Sequence, residues 1–379
     1  MKIRRVGLVR FRLSLREPLV TAAGQIEDRD GVLVRLYGSD GSIGAGEATP
    51  IPGFGTESAG ESWETLLALA PQLAGEDVRD LDAILDGIEA AAPRAPCARA
   101  ALDMALHDAV ARSRGRSVGR WLAERGGRRG RRTVRVSALL GARDPARLAA
   151  EAVRAVAAGY GTLKVKVAGG RLDDDVARVA ALREAAGRRV RLRLDANGGW
   201  KEEQAREALA RLAPFGIELV EQPVDANDLS ALARLRAGSP VRVAADESAA
   251  GPARAERVVA LRAADAICVK LGAMGGIRAA LRIAQSAAAE GIAVFVTSGL
   301  DGAVARAAAL QLAAALPGRL PACGLATGAL LRDDLAAPEE PLRGALAAAR
   351  GAGLGVRPEP AAVSRLGVGP AVEYEAGGR

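Results

Sequence analysis

The chain has 379 residues, 49% of them hydrophobic and only 3% aromatic, and 53 basic against 45 acidic side chains give a formal net charge of +8. That length suffices for one or two domains with a large core, and no run approaches the roughly 20 uncharged apolar residues of a membrane span. The N-terminus lacks the long apolar stretch of a secretory leader, so a cytoplasmic protein is expected.

The positive charge invites a nucleic-acid reading. The densest basic stretch, Arg125 to Arg132, has no interleaved aromatics and no second cluster of similar density. A solvated inter-domain loop is the expectation. Cys97, Cys268 and Cys323 are far apart and none sits in a CxxC, which argues against a zinc site or a disulfide framework. Cys268 lies in an apolar run and reads as a small core residue.

Residues 1–60 read as antiparallel strands: Val6–Leu13, then Gly31–Leu36 and Ile43–Ala48 around a turn at Gly38–Gly41. Residues 60–125 switch to helical period, with Glu61–Leu73 and Pro96–Ser113 as helices. Strands followed by helices make an α+β unit. From about residue 133 strand-like runs alternate with Ala-rich helices. The runs are Val134–Leu140, Thr162–Val167, Val190–Leu194, Ile217–Val220, Val241–Ala244, Ala266–Val269, Ala293–Val296 and a weaker Ala322–Ala326. The helices are Ala146–Ala158, Asp173–Ala186, Glu202–Ala213, Leu229–Ala237, Ala253–Ala263 and Ile277–Ala289. This repeat fits the βα units of a (β/α) barrel. A doubly wound sheet would normally show a Gly-rich phosphate loop after its first strand, and Leu140-Gly-Ala-Arg-Asp lacks it.

Of 53 basic residues only five are lysine: Lys2, Lys164, Lys166, Lys201 and Lys270. Arginine holds its proton at neutral pH, whereas a buried lysine can release one. Lys164 and Lys166 share one side of their strand, where mutual repulsion is expected to lower their pKa values. Asp195, Glu221 and Asp246 each end an apolar run. Their spacings, 221 − 195 = 26 and 246 − 221 = 25, are one βα unit each, and Lys270 follows after 270 − 246 = 24. Barrel enzymes carry their chemistry at the C-terminal ends of strands. Three carboxylates converging there suit a hard divalent cation, Mg²⁺ before zinc. A single acid after a strand is usually a helix cap; three at even spacing are harder to dismiss. Glu247 is expected to support the ligands. His107, the only histidine, lies on a helix outside the barrel and is expected to pack. No GxSxG elbow or Walker loop is present. Lysine with a carboxylate-held metal suits removal of a proton next to a substrate carboxylate.

Lys164-Val-Lys166, Asp195-Ala-Asn197, Glu221-Gln-Pro223, Asp246-Glu-Ser248 and Lys270 resemble the motifs of the enolase superfamily, muconate-lactonising-enzyme subgroup, over nearly the whole chain. The resemblance implies an α+β N-terminal capping domain (1–130), a (β/α)7β TIM-like barrel (131–330) and a C-terminal segment (331–379) returning to the cap. It implies Mg²⁺, with Mn²⁺ as the substitute, on Asp195, Glu221 and Asp246. Lys166 is then the base, Lys270 its opposite-face partner and Lys164 a tuning charge. Gly46–Ser58, which contains Phe54, and Thr21–Arg29 resemble the two closing loops. Asn197, Glu247, Ser298, Asp301, Phe54 and Arg29 are the expected supporting or substrate-contacting residues. Asp301 stands where much of the family has glutamate. The expected partner is a small carboxylate substrate, neither nucleic acid nor membrane, and a homo-oligomer is allowed.

Thr297–Gly302 and Ala322–Gly328 resemble o-succinylbenzoate synthases, which implies syn-dehydration of 2-succinyl-6-hydroxy-2,4-cyclohexadiene-1-carboxylate in menaquinone synthesis. N-acylamino-acid racemase, dipeptide epimerase and muconate cycloisomerase are the alternatives. Dipeptide epimerases usually carry an Asp-x-Asp near the eighth strand, where this chain has Gly324-Leu-Ala-Thr-Gly328. A non-enzymatic binding protein is the reading least compatible with so complete a set of reactive residues.

Overall fold

The computed structural model describes residues 1–21 and 24–377. Strands β1 (Ile3–Thr21), β2 (Gly24–Gly38) and β3 (Ile43–Ala48) form an antiparallel meander. In β1, buried Phe11, Leu13 and Leu15 alternate with exposed Arg10, Arg12 and Arg16, the period-two pattern of a half-buried strand. Helices α1 (Ala59–Leu73), α2 (Leu81–Ala91), α3 (Pro96–Ser113) and α4 (Val118–Arg125) follow. Ser58 and Glu61 form a reciprocal capping box at the start of α1.

Helix α3 is the keel of the molecule. It is buried from Cys97 to Ala111, between the meander and the barrel. Its backbone presses against β3, where a Cβ at Gly46 would lie 1.8 Å from the Ala101 carbonyl oxygen. The Gly-Ala-Gly of β3 is therefore what admits the helix.

The chain then crosses to the barrel. β4 (Thr133–Arg135) leads to β5 (Ala138–Leu140), α5 (Pro145–Ala157), β6 (Thr162–Lys166), α6 (Leu172–Ala186), β7 (Arg191–Asp195) and α7 (Glu202–Leu212). It continues with β8 (Ile217–Glu221), α8 (Leu229–Gly238), β9 (Val243–Ala245), α9 (Pro252–Ala260) and β10 (Ala266–Val269). The short α10 (Leu271–Met274), α11 (Ile277–Ala289), β11 (Ala293–Val296) and α12 (Ala303–Ala315) complete it. β5 to β11 form one parallel sheet in chain order. The expected eighth run closes the curl: Cys323 bridges Val136 and Gly324 bridges Thr297, both in parallel. Inside, Arg193 Nη1 donates to the Ala322 carbonyl at 2.7 Å and Nε to Glu218 at 2.7 Å, tying that last segment down.

Two features differ from the sequence reading. The run Val134–Leu140 is split, because β4 pairs antiparallel with β12 (Ala345–Ala347) before β5 joins the barrel. Helix α12 is wholly buried, its polar Arg306 and Gln311 included, so no solvent-facing stripe gives it an amphipathic period. After α13 (Pro360–Leu366), β13 (Val372–Glu375) pairs with β1, from Arg5 opposite Glu375 to Leu8 opposite Val372.

The basic loop has a structural use. Arg131 N and Arg128 Nη1 donate to the Ala314 and Ala315 carbonyls at 2.8 Å each, and the Arg131 guanidinium reaches the Leu316 and Gly318 carbonyls. These groups cap the C-terminus of α12, where a helix favours cations. His107 is buried, with Nδ1 2.8 Å from the Asp103 carbonyl oxygen. No helix among the described residues is long and apolar enough to cross a membrane.

Candidate metal and proton-transfer site

Parallel register brings the reactive residues together. Lys166 lies opposite Asp195, and Asp195 opposite Glu221, at the C-terminal ends of β6, β7 and β8. Asp246 follows β9 and Lys270 follows β10. Lys164 Nζ sits 2.6 Å from Glu221 Oε1 and 2.8 Å from Asp195 Oδ2. Lys270 Nζ is bound to Asp246 Oδ1 and lies 4.6 Å from the centre of the Phe54 ring, a cation–π contact supplied by the cap. Lys166 is half-buried and makes no side-chain ion pair among the described residues.

Crowding of like charge sets the electrostatics. Burial, with Asp195 and Asp246 adding to it, raises the Glu221 pKa to about 8 against the pull of Lys164. Burial pushes Asp246 upward as well, but Lys270 and Lys164 prevail and its pKa is lowered. Burial alone would lower both lysines. Asp195 and Glu221 overcome it and raise Lys164; Asp246 does the same for Lys270. The expected mutual lowering of Lys164 and Lys166 is therefore not what governs Lys164, because two carboxylates stand closer to its ammonium than any cation does.

The donor set fits a divalent cation. Asp195 and Glu221 are bridged by Lys164 Nζ, oxygens of Glu221 and Asp246 lie within 4.8 Å of each other, all three acids are buried, and Glu221 Oε2 has no hydrogen-bond partner. A dication on these oxygens would satisfy that atom and relieve the repulsion. Cys268 was not expected here, yet its Sγ and one oxygen each of Glu221 and Asp246 lie within 4.8 Å of one another. Its position on β10, two residues before Lys270, was the available signal.

The strand mouths are strained and clamped. Ala168, Asn197 and Gln222, just beyond β6, β7 and β8, adopt φ values of 65°, 43° and 40°. Such backbone persists only where the surroundings hold it. Ala168 N donates to Asp175 Oδ2 at 2.7 Å and Asn197 N to Asp195 Oδ1 at 3.1 Å. Gln222 Oε1 accepts from Asp246 N at 3.1 Å and Ser248 N at 3.0 Å, and Nε2 donates to Ser248 Oγ at 2.7 Å. Gln222 thus fixes the end of β8, beside Glu221, relative to Asp246, a role that its place in Glu-Gln-Pro did not disclose. Asn197 Nδ2 donates to Glu247 Oε1 at 3.0 Å, and burial with the Asp246 charge raises Glu247 to about 7.

Arg29, Ser298 and Asp301 serve the junction between cap and barrel. Arg29 donates to the Thr49, Pro50 and Leu300 carbonyls at 2.5, 3.0 and 3.4 Å. Asp301 accepts from Thr49 Oγ1 at 3.1 Å and Gly299 N at 3.0 Å, and Ser298 Oγ accepts from Asp301 N at 3.0 Å. Glu47, which the sequence left unmarked, accepts from Gly302 N at 2.6 Å, Val304 N at 3.1 Å and Ala305 N at 3.3 Å, at the start of α12. The strand end from which the loop carrying Phe54 departs is therefore anchored to the barrel. Within Thr21–Arg29, residues 22 and 23 lie outside the described residues.

Comparison with known proteins agrees with this fold. Residues 3–122 match the N-terminal domain of the mandelate racemase / muconate lactonizing enzyme family, and residues 147–362 match the enolase C-terminal domain-like family. The N-succinyl-L-Arg/Lys racemase of Bacillus cereus is 31% identical over 83% of this chain and 84% of its own. Its crystal structure superposes with a TM-score of 0.91 at 28% identity, covering 99% of this chain and 100% of that one. A dipeptide epimerase of Enterococcus faecalis, solved with Mg and the dipeptide L-Leu-L-Tyr, superposes with a TM-score of 0.87 at 31% identity, covering 94% and 99%. A chloromuconate cycloisomerase of Cupriavidus necator is 32% identical over 88% of this chain and 90% of its own.

Proposed function

The chain belongs to the mandelate racemase / muconate lactonizing enzyme family of the enolase superfamily, and on that premise we propose that it is a Mg²⁺-dependent racemase acting at the α-carbon of an N-acylated amino acid. The observation that carries this reading is the placement of two lysines. β6 and β10 are four strands apart in the sheet, so Lys166 and Lys270 stand on opposite sides of the barrel with the carboxylates between them.

Asp195, Glu221 and Asp246 would hold the Mg²⁺. When bound, the ion supplies Lewis-acid stabilisation of charge developing on a substrate carboxylate. The chain's own residues move the proton. Lys166 Nζ, free of an ion pair, takes the α-proton from one face; Lys270 Nζ, kept protonated by Asp246, delivers one to the other. In the reverse direction the roles exchange. Lys164 holds Asp195 and Glu221 together, and Phe54 covers Lys270 from the cap.

The racemase reading is favoured over dehydration to o-succinylbenzoate because the relatives compared above are a racemase, an epimerase and a cycloisomerase, and a one-base elimination gives the second lysine no proton to move. It is favoured over dipeptide epimerisation because Gly324–Gly328 offers no carboxylate to pair with a free amino group. The dipeptide reading stays second on the strength of the Enterococcus faecalis likeness. The test is turnover by purified protein with Mg²⁺, followed by polarimetry on N-succinyl amino acids, unblocked dipeptides and the synthase substrate. The proposal expects inversion of the N-succinyl compounds first. Preferential turnover of dipeptides, or formation of o-succinylbenzoate alone, would replace it.

A further inference from the structure

Cys268 lies on β10 two residues before Lys270, and its thiol is buried at the floor of the carboxylate site. Its Sγ is 2.9 Å from Thr297 Oγ1, and it forms with one oxygen each of Glu221 and Asp246 a triangle no wider than 4.8 Å. Glu221 Oε2, the oxygen that a hard ion would also satisfy, is buried and unpartnered. Zinc takes sulfur at about 2.3 Å and oxygen at about 2.1 Å, so modest side-chain adjustment closes this triangle around one ion. Mg²⁺ wants oxygen only and has no use for the thiol; Zn²⁺ and Cd²⁺ prefer it.

We propose that Cys268, Glu221 and Asp246 form a mixed sulfur–oxygen site for thiophilic divalent cations, overlapping the Mg²⁺ site and exclusive with it. Binding releases the thiol proton to solvent and forms the metal–sulfur bond in its place. One pocket then has two donor sets: Asp195, Glu221 and Asp246 for a hard ion, and Cys268, Glu221 and Asp246 for a soft one. The chain is accordingly displaced from its Mg²⁺ form by soft metals. The inference uses the metal site of the reading above but no step of its reaction.

The test is a Cd²⁺ titration of the purified full-length chain after chelator treatment, following ultraviolet sulfur-to-cadmium charge transfer. The band should saturate at one ion per chain, and excess Mg²⁺ should weaken apparent Cd²⁺ affinity. Cys268→Ser should abolish the band and lower the affinity by about tenfold or more, whereas Cys97→Ser and Cys323→Ser should leave both unchanged. Cadmium NMR of the unsubstituted chain reads the donors without any variant: sulfur ligation shifts the resonance far downfield of an all-oxygen site. An all-oxygen resonance, a band that survives Cys268→Ser, or binding indifferent to Mg²⁺ would overturn the proposal. A Cd²⁺–thiolate signal without any substrate racemisation would leave it standing and count against the racemase instead.

Discussion

Among single residues, Glu221 combines the most constraints. It is flanked by two acids, held by Lys164 through one oxygen, and left with the other unpartnered. Glu221→Gln keeps the shape and removes the charge. Calorimetry should show Mg²⁺ affinity reduced by at least about tenfold, a loss that even outer-shell partners can produce. Unchanged affinity would place the ion elsewhere. The residues of this site were legible because an arginine-rich chain spends lysine sparingly and because the acids recur at one βα unit. Cys268 was missed: a thiol in an apolar run has the same signature whether it faces the core or a metal, and only its two-residue spacing from Lys270 marked it. The lysine pKa direction was also misread, since pairing Lys164 with Lys166 by sequence ignored the two carboxylates that register brings from β7 and β8.

At the scale of elements, the barrel's periodicity announced its strands, while the contacts that seat the cap on it are long-range and left no local trace. Glu47 on β3 caps α12 from a sequence distance of 255 residues. Helix α12 itself was missed, because a segment buried on every side has no polar face to set its period. Burial, then the charges of Asp334 and Asp301, raise Glu47 from 4.5 to about 8. The folded chain therefore binds this proton more tightly than the unfolded chain. The stabilisation is complete below about pH 4.5 and is lost as pH rises toward about 8. Glu47→Gln mimics the protonated acid, so the melting temperatures of wild type and variant should lie nearest each other at the acid end of that window. Wild type should fall behind the variant steadily toward the alkaline end; a wild type that gains on the variant as pH rises would contradict the assignment.

For the whole molecule, cap and barrel meet at Arg29, which joins the Thr49 and Pro50 carbonyls of the cap to that of Leu300 in the barrel. Arg29→Ala leaves the buried Thr49 and Pro50 carbonyls without their donor and loosens the loop that carries Phe54. Stability should fall by about 2 kcal/mol or more, measured by urea unfolding, and kcat/KM should fall beyond what a shift in folded fraction explains. Arg29→Lys should restore little, because one ammonium cannot reproduce a planar fork spanning three carbonyls. The central claim is that two lysines on opposite walls of the barrel each serve one face of the same carbon. Its most direct measurement is α-proton exchange in D₂O, with Mg²⁺ and each enantiomer of an N-succinyl amino acid, for Lys166→Ala and Lys270→Ala. Each variant should lose racemisation by about 10²-fold or more, yet still exchange the α-proton of one enantiomer, and the two variants should retain opposite enantiomers. Exchange of the same enantiomer by both, or racemisation surviving in either, would contradict it.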